Sequence, residues 1–449
     1  MSKQRIQLSD HFTYSRLLRF VLPCIGTMLF TSIYGIVDGL CVSNFVGKTA
    51  FAAVNLIMPL PMLLGTIGFM LGTGGSAIVG ITLGEGDQKK ADRYFTLFLL
   101  AALVSVSVLA VLGIVFLRPI AVLLGAKGEL LDYAVRYGRI LMVSLPTFAL
   151  QNMFQSFFVT AEKPHLGFWF TVGAGCTNMV LDVLMVGIWG WGVEGAAIAT
   201  FISQLVGGVL PVFYFIDRSN SSRLHLCKTS FYSKVLRDAC INGSSELMTN
   251  LSMSLVNILY NFQLLRLAGE NGVAAYGVIM YAAFLFVAVF VGYAVGSAPI
   301  VSFHYGARNH AEVHNLYRKS LRLIAVVAVT LTLASMFIIP CVARIFVGYD
   351  AELLALTSRA FRLYALSFLI MGFNVYASSF FTALGDGVTS ALISFLRTLV
   401  FQVIAILLLP LLLGIDGIWL AVTAAELAAL AVSAAMLLTK DKVFHYRKV

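Results

Sequence analysis

The sequence predicts an all-α integral membrane protein: twelve transmembrane helices in two six-helix lobes related by a pseudo-two-fold axis along the membrane normal. Three observations carry this prediction. They are an extreme apolar composition, twelve apolar runs with asymmetrically placed Lys and Arg, and an internal repeat. Of 449 residues, 59% are hydrophobic and 12% are charged. A soluble domain carries about 25% charged residues, so this chain cannot cover a water-facing surface. Disordered, collagenous, coiled-coil and disulfide-stapled classes are excluded on the same ground.

A spanning helix needs about 20 mainly apolar residues. Runs meeting that need lie near 16–42, 49–83, 94–118, 131–161, 165–189, 193–216, 234–266, 271–305, 316–346, 353–384, 388–413 and 417–439. The first is expected to span rather than to be cleaved, because no small-residue cleavage site follows it and Asp38 interrupts its end. Pro23 should bend helix 1, and Pro59 and Pro61 should distort helix 2. With both termini placed inside, 21 of the 31 Lys and Arg fall in the inner segments, which supports an even count of spans with cytoplasmic ends. The net charge of +10 is then an orientation signal and not a nucleic-acid surface.

The second half repeats the first at an offset of about 222 residues. Gly75-Ser76-Ala77 falls on Gly296-Ser297-Ala298, Phe157-Phe158 on Phe380-Phe381, and Gly192 and Gly195 on Gly414 and Gly417. Glu129, Arg136 and Arg139 fall on Glu352, Arg359 and Arg362. Six helices per repeat is an even number, so both lobes share one orientation. The expected division is residues 1–216 for the first lobe, a basic cytoplasmic linker at 217–237, and 238–449 for the second lobe. Paired lobes around a central cavity are a transporter architecture.

Ionisable groups inside a bilayer are costly and usually functional. Here they are Asp38, Asp182, Glu246, Arg397 and Glu426. Counting 1.5 Å per residue puts Asp38 and Asp182 about 10 Å, and Thr200 about 13 Å, below the outer surface. Asn178 precedes Asp182 by four residues and shares its helical face, and Asn152 lies midway along helix 4. This oxygen-rich set holds no Cys or His, so it suits Na⁺ or H⁺ and not a transition metal. A plainer alternative is that Asp38 caps a helix end while Asp182 bonds a neighbouring hydroxyl. The repeat maps Asp38 onto Tyr260 and Asp182 onto Ile404, so the acid pair is peculiar to the first lobe. Glu246 is either a contact for a cationic substrate or a structural hydrogen bonder. Arg397 and Glu426 are read as structural charges that pair within the second lobe.

Other motifs carry less. His304, His310 and His314 are read as a solvated basic loop, and Gly72-Thr-Gly-Gly75 as helix packing without the Lys-Ser/Thr of a phosphate loop. The six cysteines are scattered without metal or redox spacing. No nucleophile constellation converges at one depth, so an enzyme is not expected, nor is a metal or cofactor.

Along its whole length the chain resembles the multidrug and toxic compound extrusion (MATE) family. The resemblance rests on Pro23 to Asp38 followed by Phe45-Val-Gly47, on Asn178-x3-Asp182, on Gly195-Ala-Ala-x-Ala-Thr200, on Gly243-Ser-Ser-Glu246, and on Leu396-Arg397 before Pro410. It implies a secondary active multidrug efflux transporter, a Na⁺ or H⁺/organic-cation antiporter working by alternating access. It also implies a coupling site at Asp38, Asn178, Asp182 and Thr200 with Asn152 nearby, and pocket positions at Tyr34 and Gln155. A second branch of the family couples through an acid in helix 10, where this chain has Asn374, which cannot titrate. Glu246 and Asn374 remain substrate-cavity candidates. The expected setting is a bacterial or archaeal plasma membrane, a monomer in the lipid bilayer, and small cationic amphipathic substrates. The competing function is a flippase or exporter of a lipid-linked or polyanionic precursor, which would need interior positive charge.

Overall fold

A computed structural model of the protein describes residues 6–46, 48–348 and 350–447; at 36, 38–45, 48, 51, 342, 345 and 346 it describes the backbone only. Every regular element among the described residues is a helix. The first lobe comprises α1 (Tyr14–Phe45), α2 (Pro59–Gly84, after a short helix Lys48–Ile57), α3 (Gln88–Leu123), α4 (Glu129–Thr160), α5 (Pro164–Leu181) and α6 (Gly192–Gly208, continued by Leu210–Ile216). The second comprises α7 (233–268), α8 (270–306), α9 (His310–Val347), α10 (Ala351–Ala365 and Phe368–Ala383), α11 (Gly387–Phe395 to Phe401–Leu413) and α12 (Ile415–Thr439).

Residues Ser233–Gly306 hold helical hydrogen bonding for 74 residues but turn at Gly269, with φ 61° and ψ −149°. At 1.5 Å per residue an unbroken helix would reach roughly 110 Å, far beyond a hydrocarbon core of about 30 Å. The segment is therefore two spans. Gly192 and Gly414, which the repeat superimposes, both hold φ of 60° where α6 and α12 begin. Only glycine adopts this conformation cheaply, so the turn between the fifth and sixth helices is built the same way in both lobes.

Two spans depart from single straight rods. α2 starts at Pro59, because Pro59 and Pro61 sit in a first turn where a missing N–H costs little. α10 bends by 46° between Ala365 and Phe368, a break that the apolar run at 353–384 does not reveal. α1 runs as one helix through Pro23, whose carbonyl accepts the Thr27 hydroxyl at 2.9 Å.

The distribution of the core explains how the lobes meet. One buried cluster, which includes Tyr260, Phe361 and Trp419, lies wholly in the second lobe. Another, with Ile57, Tyr137 and Val193, lies wholly in the first. A third draws on both halves, from Leu8 and Phe98 to Phe303, Phe380 and Tyr446, and sits towards the face that carries both termini. The lobes share a core on that face and keep separate cores on the opposite one.

Two helix crossings seal the shared face. A Cβ on Gly74 of α2 would overlap the Ala239 carbonyl of α7, and one on Gly243 would overlap the Met70 carbonyl of α2. In the last turn of α2 the arrangement recurs: Gly84 meets the Phe303 carbonyl, and Gly306 meets the Ile81 carbonyl. Backbone lies against backbone at both points, as small residues permit in membrane helices.

The chain ends tie this face together. Glu162, after α4, accepts the Leu8 N–H at 2.9 Å and pairs with Arg223 at 2.6 Å. Glu312, in the first turn of α9, accepts the Phe12 N–H at 2.9 Å and lies 2.6 Å from His11 Nδ1. Residues 8–12 thus bridge the two lobes. Arg223 also stacks over the Phe303 ring at 5.0 Å.

Gly243→Val has no room at the α2–α7 crossing. It is expected to lower stability by about 1–3 kcal/mol, as overpacking does, seen as a lower thermal unfolding midpoint of the detergent-solubilised protein. Gly277→Ala is the control, since nothing lies within 4 Å of its Cβ position, and it should be close to neutral.

Candidate functional site

The first-lobe candidates come from four helices. α1 packs along α5, and Tyr34 of α1 rests on Gly175 of α5, with a Cβ there 3.2 Å from the Tyr34 ring. α6 packs on both α4 and α5. Gly207 of α6 lies against the Gln151 side chain of α4, the neighbour of Asn152. Asn152, Asn178 and Asp182 are buried, at 4%, 2% and 0% exposure. Thr200 is half-buried and donates its hydroxyl to the Ala196 carbonyl at 3.0 Å. The side chain of Asp38 lies outside the described residues, although its backbone continues α1.

At Asp182 the α-helix gives way to a π-helical segment, Asp182–Ile188. Its wider register shows in the Trp189 N–H bonding the Leu184 carbonyl at 2.8 Å. Such segments are frequent at functional sites. The amide Nδ2 atoms of Asn152 and Asn178 are buried and find no acceptor among the described residues. A carboxamide offers an N–H to a carboxylate or, turned over, an oxygen to a cation. Both chemistries are open to these two side chains.

The second lobe answers differently. Arg397 Nε lies 3.3 Å from Glu426 Oε1. Asn374 donates Nδ2 to Glu426 Oε2 at 2.7 Å and to the Glu426 carbonyl at 2.9 Å, while its Oδ1 accepts the Ser433 hydroxyl at 2.9 Å. Asn374 is fully buried. It belongs to this interior network. Its separation from Glu426 and Ser433, 52 and 59 residues, left no local spacing by which the contact could be read. Glu246, half-buried on α7, lies within electrostatic reach of Arg397 and accepts from Asn250 through its backbone carbonyl. Gln155 lines a small crevice between the lobes with Cys24, Thr27, Phe158 and Val295.

The histidines require a correction. His304 is not in a solvated loop. It is buried at the end of α8, edge-on to Phe12 at 6.4 Å, because residues 8–12 fold back over that face. His310 and His314 open α9, and His314 Nδ1 lies 2.9 Å from the Tyr446 carbonyl.

Known proteins can now be set beside this architecture. The MatE family model matches the chain twice, over residues 23–184 and 247–408. The chain belongs to the MatE family. The two matches place one copy of the domain in each lobe, 224 residues apart. Among curated relatives, the multidrug export protein MepA of Staphylococcus saprophyticus is 21% identical over 434 residues, covering 96% of this chain and 95% of the relative. Among solved structures, one described as an outward-facing conformation of a multidrug resistance MATE family transporter superposes with a TM-score of 0.92 at 22% identity, covering 99% of both chains. Another, a transporter of the same superfamily from Pyrococcus furiosus described as having a binding pocket of reverse polarity, gives 0.90 at 22% identity, covering 100% of both chains. As a MatE protein this chain is a multi-pass membrane protein, and its family's members are transporters.

The buried ion pair gives this MatE chain a direct test. Glu426→Ala strands a guanidinium and is expected to cost about 3–5 kcal/mol, measured by unfolding in detergent. Arg397→Leu combined with Glu426→Leu should lose less than Glu426→Ala alone, because no unpaired charge remains.

Proposed function

We propose that the chain exports small organic, cationic and amphipathic compounds by exchanging them for Na⁺ or H⁺ through alternating access. The observation that carries the proposal is the buried polar cluster of the first lobe. Asp182 is fully buried where α5 turns π-helical, and the Nδ2 atoms of Asn152 and Asn178 are buried in the same lobe with no acceptor among the described residues. Such a set offers carboxylate and carboxamide oxygens to a hard monovalent cation or a proton. In this reading Asp38, Asp182, Asn178, Asn152 and Thr200 form the coupling site, and the substrate enters between the lobes past Tyr34, Gln155 and Glu246.

Exchange needs a ligand that favours one conformation over the other. With the lobes sealed on the face that carries the termini, the proposed site is approached from the opposite face. A coupling ion arriving there neutralises the lobe and weakens its hold on a cationic substrate, which leaves. Rocking about the α2–α7 and α2–α8 crossings then opens the terminal face. With both termini cytoplasmic, the cycle runs outward for substrate. A lipid-linked precursor would need free interior cations for its phosphates. Arg397 is already neutralised by Glu426, which disfavours that function.

In proteoliposomes, Asp38→Asn and Asp182→Asn are each expected to reduce ion-gradient-driven efflux of a cationic dye by a factor of ten or more, the scale of losing one essential interaction of about 1.4 kcal/mol. Dye binding in detergent should be retained. Efflux at the wild-type rate in either properly inserted variant would overturn the coupling role. Repeating the assay with and without Na⁺ at fixed pH distinguishes the two ions.

A further inference from the structure

A second cavity lies away from the inter-lobe space, at the terminal face. It is an open cleft of about 500 Å³ between the start of α3 and the inter-lobe linker, lined by Lys89, Asp92, Arg93, Arg218, His225, Cys227 and Lys228. We propose that this cavity binds the phosphate headgroup of an anionic membrane lipid.

The linker is fastened to α3 in a way that builds the cavity. The His225 N–H bonds Asp92 at 3.0 Å, the Cys227 N–H bonds the Thr96 hydroxyl at 3.1 Å, and the Thr229 hydroxyl donates to the Arg93 carbonyl at 2.8 Å. Gln88 Nε2 also donates to Asp92, at 3.2 Å, and reaches the Arg223 carbonyl at 2.5 Å. The one carboxylate of the lining is thus engaged by linker and helix. Among the described residues, Lys89, Arg93, Arg218 and Lys228 make no ion pair within 4.0 Å. Four cations against the single carboxylate of Asp92, which Arg218 also faces electrostatically, leave the cavity with an excess of positive charge that an anion would offset.

The surroundings select a lipid over a dissolved ion. Immediately before Arg218 the end of α6 exposes Phe213 and Ile216, at 63% and 55%, and three residues after Lys228 comes Phe231, at 76%. Tyr94 and Tyr232 meet edge-to-face at 5.4 Å beside them, with Lys90 over the Tyr94 ring. Exposed apolar side chains for acyl chains and a basic cavity beside them are the two parts of a headgroup site. Arg223, in the same linker, bridges the lobes through Glu162 and Phe303. An anionic lipid held here therefore braces the segment that joins the two lobes.

The test uses delipidated full-length protein, to which phosphatidylglycerol, phosphatidylcholine or sodium phosphate is returned. Phosphatidylglycerol should raise the thermal unfolding midpoint, and the other two should not. Each basic residue removed should weaken phosphatidylglycerol binding about fivefold, the effect of one basic side chain near an anionic membrane, so Arg93→Gln, Arg218→Gln and Lys228→Gln together should weaken it about a hundredfold. Removing as much charge elsewhere on the face, with Lys234→Gln, Arg237→Gln and Arg318→Gln, should leave binding unchanged. Should the triple variant not fold, native mass spectrometry of Arg218→Gln alone should show fewer retained anionic lipids per protein. Equal stabilisation by phosphatidylcholine, a full shift from phosphate alone, undiminished lipid retention by Arg218→Gln, or equal loss in the control triple would each overturn the proposal.

Discussion

A carboxylate inside a bilayer must be neutralised, and the source of the neutralising charge sorts this molecule into its parts. Water is not available to do it, and desolvating the ion alone is prohibitive. The second lobe meets the requirement internally. Glu426 has Arg397, the Asn374 amide orients the same carboxylate, and Ser433 orients Asn374 in turn. Hydrogen bonds join Glu426, Asn374 and Ser433 in series, which makes the network a structural element. Asp182 is as deeply buried in the first lobe, in company with the carboxamides of Asn152 and Asn178. The duplicated scaffold therefore sets its buried acids in different polar surroundings in the two lobes.

The seam between the lobes differs from one face to the other. Outside the terminal face each lobe has its own buried cluster. On the terminal face, α2 crosses α7 and α8 at paired glycines with backbone against backbone. The same face carries the core that the lobes share, and two buried carboxylates tie it further: Glu162 with Leu8 and Arg223, and Glu312 with His11 and Phe12. Parting the lobes there would have to break these bonds and expose part of that core.

Legibility from sequence followed the range of the interaction. The helices, the duplication and the Gly192–Gly414 correspondence are periodic or repeated, so composition and register reveal them. Asn178 and Asp182 are one helical turn apart, so their common face is readable too. The Asn374–Glu426–Ser433 network was not, because it joins positions on different helices across more than 50 residues. His304 was misplaced for a related reason. Its burial depends on an N-terminal segment about 300 residues away folding back over the end of α8. The bend in α10 has no proline to announce it.

The two π-helical segments show how one scaffold was tuned twice. One begins at Asp182 in α5, and the other, Leu396–Val400, contains Arg397 in α11, the corresponding helix of the other lobe. They do not fall at matching positions of the repeat, so the inherited feature is a tolerance of that helix for local widening, not a conserved turn. A π turn inserts one residue and rotates everything beyond it by roughly 100°, the angular step of one helical residue. In both helices the rotation takes place where a charged side chain must point inward while the rest of the span still faces lipid. The charge placed there is negative in one lobe and positive in the other. Widening the helix lets each charge reach the interior without turning the apolar face of the span away from the bilayer.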